Sequence, residues 1–356
     1  MGSNRKINGI KPRGSSMTCF IIAEAGVNHN GDLQLAKELV YAAKESGADA
    51  VKFQTFKADT LVNKTVEKAE YQKNNAPESA TQYEMLKALE LSEDDHYLLS
   101  ELANSLGIEF MSTGFDEQSI DFLISLGVKR LKIPSGEITN VPYLQHCASK
   151  KLPLIISTGM CDLQEVRVAI DTVKPYYGNS LSDYLVLLHC TSNYPAAYQD
   201  VNLKAMQTLA SEFQLPVGYS DHTLGILVPT LAVGMGACVI EKHFTMDKSL
   251  PGPDHLASMN PEEMKNLVQS IRDTEIILGT GEKKPSDNEL PIRALVRRSI
   301  ALRRDLVKGA QISKEDLILL RPGTGIAPSE ISNIVGARLS MNLSAGTTLL
   351  WEHIEA

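Results

Sequence analysis

The chain has 356 residues, 43% of them apolar and 22% charged, and carries a net charge of -8. That composition belongs to a globular protein with ample core material and excludes disorder. The acidic balance excludes a nucleic-acid surface as the main partner, so an anionic substrate has to be held by locally placed cations. No apolar run is long enough to span a membrane, and the N-terminus lacks the apolar region of a secretory signal. The five cysteines, Cys19, Cys147, Cys161, Cys190 and Cys238, show no CxxC spacing. They read as reduced core thiols, which points to the cytoplasm.

Met1 to Ser16 are polar and basic and are read as a vector-derived leader, so the first domain is taken as residues 17–278. From Thr18 a short apolar strand, one or two polar residues and an amphipathic helix alternate. The predicted strands are Cys19 to Ala25, Ala50 to Thr55, Ile108 to Thr113, Arg130 to Ser135, Leu154 to Thr158, Leu185 to Thr191, Val217 to Ser220 and Val239 to Phe244. Helical patterns lie between them, for example Leu33 to Ser46, Ser92 to Ser105 with Ser92 and Asp95 as a capping start, Leu224 to Ala237 and Pro261 to Leu278. About eight βα units in about 250 residues is the arithmetic of an α/β fold of the closed (β/α)8 TIM-barrel type. An open doubly wound sheet is the alternative.

The positions of the polar residues favour the barrel. Glu24, Lys52 with Gln54, Thr113, Lys132 with Ser135, Ser157, His189 with Thr191, Ser220 with His222, and Glu241 with His243 all fall late in their strands. Barrel enzymes place their chemistry at that end, so one shared mouth is expected. The charged stretch Lys57 to Tyr83 follows the second strand and is expected to be a lid or substrate-contacting loop, against the plainer reading of a solvated loop. Neither a Gly-rich dinucleotide fingerprint nor a Walker P-loop occurs. Residues 279–292 read as a polar linker, and 293–356 as a small, mostly β module with Arg321 in a turn beside Pro322 and Gly323.

A crossover from the seventh to the eighth strand would set His222 and His243 side by side, half of a divalent-metal site that Asp254 follows closely enough to join. Taken singly, either histidine reads more simply as a hydrogen-bonded residue at a strand end. Lys52 and Lys132, with the hydroxyls of Thr113, Ser135, Ser157 and Ser220, form a cradle for a small dianion such as phosphate. Glu24, Glu137 and Glu241 are left to orient water, accept a proton or bind hydroxyls. Either lysine could instead belong to a structural ion pair, and Lys132 could serve as a Schiff-base amine.

The blocks Ile22-Ala-Glu-Ala-Gly-Val-Asn-His-Asn-Gly31, Val51-Lys-Phe-Gln-Thr, Lys132-Ile-Pro-Ser-Gly-Glu137, Ile156-Ser-Thr-Gly-Met160, Leu188-His-Cys-Thr191, Gly218-Tyr-Ser-Asp-His-Thr223, Glu241-Lys-His-Phe-Thr245 and Gly252-Pro-Asp254 together resemble the sialic acid (N-acetylneuraminate) synthase family. That family includes legionaminic and pseudaminic acid synthases. Arg321-Pro-Gly-Thr-Gly325 resembles its C-terminal antifreeze-like (SAF) domain. The resemblance implies a domain-swapped homodimer that condenses phosphoenolpyruvate with an open-chain N-acetylated hexosamine, giving a nine-carbon 2-keto acid and phosphate. It implies that His222 and His243 hold a divalent ion, Mn²⁺ with Mg²⁺ and Co²⁺ as alternatives. Glu24, Lys52, Lys132 and Glu241 would then be catalytic. Lys52, Lys132, Thr113, Ser135, Ser157 and Ser220 would hold phosphoenolpyruvate; Gln54, Glu137, Tyr194, Asp254 and, from the other subunit, Arg321 would contact the sugar.

Gly114 stands where the family usually has proline, and a looser mouth loop is expected there. The first block and Gly136-Glu-Ile-Thr-Asn look somewhat like legionaminate synthases. N-acetylmannosamine and a 2,4-diacetamido-trideoxyhexose both stay open as the sugar, with pseudaminate synthase and a Schiff-base aldolase as alternatives. A non-enzymatic surface-adsorbing protein is disfavoured by the crowded polar mouth.

Overall fold

In a computed structural model, which describes residues 18–68, 72, 79 and 81–355, eight parallel strands close on one another in sequence order. They are β1 (Phe20–Gly26), β2 (Ala50–Thr55), β3 (Glu109–Gly114), β4 (Leu131–Ile133), β5 (Leu154–Ser157), β6 (Leu185–Cys190), β7 (Val217–Asp221) and β8 (Val239–His243), with β1 and β8 completing the ring. The expected (β/α)8 barrel is therefore present, and the open-sheet alternative is not. The leader Met1 to Ser16 lies outside the described residues, as does part of the Lys57 to Tyr83 stretch. Its described ends carry a one-turn helix, Ala58–Leu61, and the start of the helix Gln82–Ala88, which Thr81 and Glu84 cap reciprocally.

Local chemistry sets the helix ends. Asp32 accepts hydrogen bonds from the amides of Gln34 and Leu35 at the start of Leu33–Glu45. Ser92 and Asp95 form the anticipated capping box of Glu93–Leu106, and Gly107 ends that helix at φ +68°. Asn260 caps Pro261–Leu278. The predicted helix Leu224 to Ala237 is shorter than expected, Leu227–Gly234, so the chain leaving β7 after His222 runs as a loop.

Strand alternation divides the core in two. Outward-facing residues such as Ile21, Phe53, Tyr219 and Ile240 pack with the helices. Inside the ring lie Ile22, Ala50, Met111, Ile155, Val186, Leu188, Cys238 and Val239. Each fully buried aliphatic side chain contributes roughly 1.5–3 kcal/mol. Two residues further along the same inward face stand Glu24, Lys52, Thr113, Ser157, Cys190 and Glu241, so the interior turns from apolar to charged toward the strands' C-terminal ends.

Gly114 does not loosen the mouth. It is the last residue of β3, paired with Thr55, and its carbonyl accepts the Tyr143 hydroxyl at 2.5 Å. The residues to Gly279 form one compact unit and those from Thr280 a second. In the second, the antiparallel pair β9 (Ser299–Leu302) and β10 (Leu317–Leu320) and several isolated antiparallel bridges surround a core of Ile300, Leu302, Ile312, Ile326, Ile334, Leu339 and Leu349. A helix, Glu289–Val296, precedes them and overlaps the end of the expected linker.

Candidate active site

Four ionisable side chains form a chain across the barrel interior. Lys52 Nζ lies 2.5 Å from Glu24 Oε2 and 3.7 Å from Glu241 Oε2, and Lys132 Nζ lies 3.4 Å from Glu241 Oε1. All four are buried. Burial raises the Glu24 carboxyl toward neutrality, although Lys52 pulls the other way. Burial would also raise Glu241, but Lys132 and Lys52 outweigh it and hold that carboxyl low. The lysines differ in the same manner: burial lowers Lys132, whereas for Lys52 the two glutamates overcome burial and keep the ammonium charged.

The hydroxyls expected around this chain are there. Thr113 accepts from Lys52 Nζ at 3.0 Å, and Ser220 donates to Glu241 Oε1 at 3.1 Å. The Ser157 hydroxyl is buried without a hydrogen-bond partner among the described residues, which leaves it open to a ligand. Ser135 Oγ accepts the Gly159 amide at 2.9 Å and lies 3.2 Å from Cys190 Sγ. Gln54 reaches Glu24 at 3.5 Å.

The two histidines stand together at the end of β8 and one residue beyond β7, with ring centroids 5.5 Å apart. His222 donates its Nδ1–H to the Thr191 carbonyl at 2.6 Å, which leaves Nε2 as a lone-pair donor. His243 Nδ1 is buried without a hydrogen-bond partner among the described residues. Burial lowers the pKa of both rings and keeps them neutral, the form that binds metals. With metal–nitrogen distances of about 2.1 Å, rings this close are able to share one ion. Asp254 Oδ2 lies 3.8 Å from His243 Nδ1, and burial raises its carboxyl to about 6. Among the described residues no three His, Cys, Asp or Glu side chains gather as a ligand set, so Asp254 stands beside the pair and not within a triad. The Tyr194 ring packs at a tilt on His222, centroids 4.1 Å apart, and meets His243 edge-on at 5.4 Å.

One expectation is displaced. His189 is not a mouth residue: its Nε2 donates to the Val201 carbonyl at 2.8 Å and its ring packs on outward-facing Tyr219. Cys190 takes the inward place, as alternation from Val186 and Leu188 requires. Glu137, half-buried, accepts from Asn140 at 2.8 Å. Arg321 belongs to the second unit, in an exposed turn. There Arg293, Arg297 and Arg298 line a cavity of about 560 Å³, and none of these four arginines forms an ion pair with a described residue.

The chain matches the NeuB family over residues 39–283 and the SAF domain over residues 297–355. It is 97% identical to the N,N'-diacetyllegionaminic acid synthase of Legionella pneumophila subsp. pneumophila over 356 residues, the whole of both chains. It is 46% identical to that of Campylobacter jejuni subsp. jejuni over 323 residues, 91% of this chain and 96% of the relative. The crystal structure of the N-acetylneuraminic acid (sialic acid) synthetase of Leptospira borgpetersenii serovar Hardjo-bovis, in complex with citrate, aligns with a TM-score of 0.70 at 35% identity, covering 78% of this chain and 91% of that one. On these matches the chain belongs to the NeuB family of nonulosonic acid synthases, with a SAF domain after the barrel.

Proposed function

We propose that this synthase condenses phosphoenolpyruvate with 2,4-diacetamido-2,4,6-trideoxymannose and water, releasing N,N'-diacetyllegionaminic acid and inorganic phosphate. The observation that carries the chemistry is the adjacency of His222 and His243 above the Glu24–Lys52–Glu241–Lys132 chain. Near-identity to a legionaminic acid synthase supports the choice of sugar.

Lys52 and Lys132 hold the phosphate and carboxylate of phosphoenolpyruvate, with Thr113, Ser135, Ser157 and Ser220 supplying shorter contacts. The new bond joins C3 of phosphoenolpyruvate to the sugar aldehyde carbon; water adds at C2, and the phosphate leaves with its oxygen. Glu24, the carboxyl with the raised proton affinity, exchanges a proton at Oε with that water or with the sugar, while Glu241 stays ionised between the lysines. Gln54, Glu137, Tyr194 and Asp254 orient the open-chain sugar. His222 and His243 would hold a divalent ion, Mn²⁺ in our reading, which when bound polarises the aldehyde oxygen. The working unit is a homodimer in which Arg321 of one copy serves the sugar in the other's barrel. Five free cysteines and the lack of a membrane-spanning helix among the described residues support a place in the reducing cytoplasm.

The test is phosphate release from phosphoenolpyruvate offered with N-acetylmannosamine, the manno-configured diacetamido sugar and its altro counterpart, each with Mn²⁺ or exhaustive chelation. Preference for the manno diacetamido sugar with loss on chelation is expected. Preference for the altro sugar would make the enzyme a pseudaminate synthase, and activity untouched by chelation would remove the metal.

A further inference from the structure

Asp221 and Lys242 form an ion pair that the chemistry above does not use. They are Cα partners across β7 and β8, and they alternate with Ser220, Glu241 and His243, so they face away from the barrel interior. Lys242 Nζ donates to Asp221 Oδ2 at 2.6 Å and also reaches the carbonyls of Thr223 and Gly225. Asp221 Oδ1 accepts the Thr223 amide at 3.0 Å, and Oδ2 accepts the Thr223 hydroxyl at 3.2 Å. The lysine side chain is 1% exposed and the aspartate 0%.

Both chain neighbours of His222 are therefore tied to one ammonium, and that ammonium belongs to the residue preceding His243. The His222 carbonyl accepts the Ala196 amide at 2.9 Å and its ring is tied to Thr191, so the β6 loop holds the same residue from the other side. Net stability does not account for burying two charges here, because well-packed apolar residues of similar volume commonly do as well or better. A fixed register between two strand ends does account for it.

We propose that Asp221 and Lys242 are positioning residues for the metal pair, clamping the backbone that carries His222 against the end of β8 so that both imidazoles stay within reach of one ion. This rests on reading His222 and His243 as metal ligands. The clamp acts through backbone placement and touches neither substrate nor ion.

The experiment measures Mn²⁺ affinity of the chelator-stripped full-length enzyme from the paramagnetic resonance signal of free Mn²⁺, for wild type, Lys242→Met, Asp221→Asn, the control Lys248→Met and His222→Ala. Folding is checked by thermal melting. Lys242→Met and Asp221→Asn, folded at the assay temperature, are expected to bind Mn²⁺ about 10- to 100-fold more weakly, the usual loss when a ligand's support is removed. Saturating Mn²⁺ should restore most of kcat with KM for phosphoenolpyruvate unchanged, and Lys248→Met should match wild type. Wild-type Mn²⁺ affinity in a folded Lys242→Met or Asp221→Asn enzyme overturns the clamp alone. If Lys242→Met does not fold, Asp221→Asn, which keeps an acceptor for Thr223, decides; failure of both to fold assigns the pair to folding and overturns the proposal. Weak binding by wild type, or binding by His222→Ala equal to wild type, overturns the metal reading and the clamp with it.

Discussion

Lys52 and Glu24 are Cα partners on neighbouring strands, and Nζ meets Oε2 at 2.5 Å with both side chains 3% exposed. Removing one member strands the other charge in the interior, a loss of about 3–5 kcal/mol. Lys52→Met should therefore lower the barrel's melting temperature by roughly 10 °C. The double variant Glu24→Gln, Lys52→Met should regain much of that stability while staying inactive, because the anion-holding charge is gone. Thermal melts read beside phosphate release check this, and turnover in the double variant would reduce the pair to scaffolding.

His222→Ala and His243→Ala should each lower kcat on the order of 10³-fold, the several kcal/mol that a Lewis acid supplies. Metal content of the purified protein should fall in step. A variant that keeps near-normal turnover while carrying no metal would show that the chemistry does not need the ion, and one that keeps its full metal content would show that the replaced ring is not a ligand.

The eight strands were legible because each apolar run ends in a polar residue, and the capping pair Ser92 and Asp95 announced its helix. The inward face of β6 was not. A parallel strand buried on both sides reads as a continuous apolar run, so Leu185 to Cys190 showed no alternation and His189 looked like a mouth residue in place of Cys190. Asp221 and Lys242 were hidden for a related reason. Charged residues on a strand's outer face look like surface until the helix layer is seen to cover them. The Thr191 carbonyl that orients His222 has no side-chain signature at all.

Two glycines mark where the interior is tight. A Cβ on Gly218 would run into the Val239 carbonyl of the neighbouring strand and meet Leu188 Cδ2 at 2.6 Å beneath the charged layer, and Gly218→Ala should destabilise the barrel by about 3 kcal/mol or more, measured by denaturant unfolding. A Cβ on Gly159 would press on Ser192 Oγ and meet Cys190 Sγ and Ser135 Oγ, each at 2.8 Å. Since Ser135 is assigned to phosphoenolpyruvate, Gly159→Ala should raise KM for phosphoenolpyruvate at least several-fold, beyond any loss of stability. A fall in stability with normal KM would contradict that assignment.

The second unit has its own acid sensitivity. Hydrogen bonds from Arg304 and from the Ser313 amide and hydroxyl hold the Asp316 carboxyl at about 2, below its ordinary 3.8. A depressed carboxylate stabilises fully above its unfolded value, and that stability is lost as pH falls from about 4 through 2. With Arg304 largely exposed, the contribution is about 1 kcal/mol. Trp351, the single tryptophan, lies in this unit, so its fluorescence follows the acid transition. Asp316→Asn should lower stability at pH 7 and flatten the loss between pH 4 and 2; an unchanged acid limb would assign it to other groups.

Complementation decides whether Arg321 works across the proposed dimer. Neither His222→Ala nor Arg321→Ala alone should use the sugar well, the first lacking its ligand and the second its contact. In a mixed dimer, the barrel with intact His222 sits on the Arg321→Ala chain, and only the other chain carries the missing arginine. If the arginine acts in trans, that barrel works, and random pairing of equal amounts should restore roughly a quarter of wild-type activity. If it acts within its own chain, that barrel stays deprived and mixing restores nothing. Phosphate release after co-unfolding and refolding the two variants separates the cases, with refolded wild type fixing the scale.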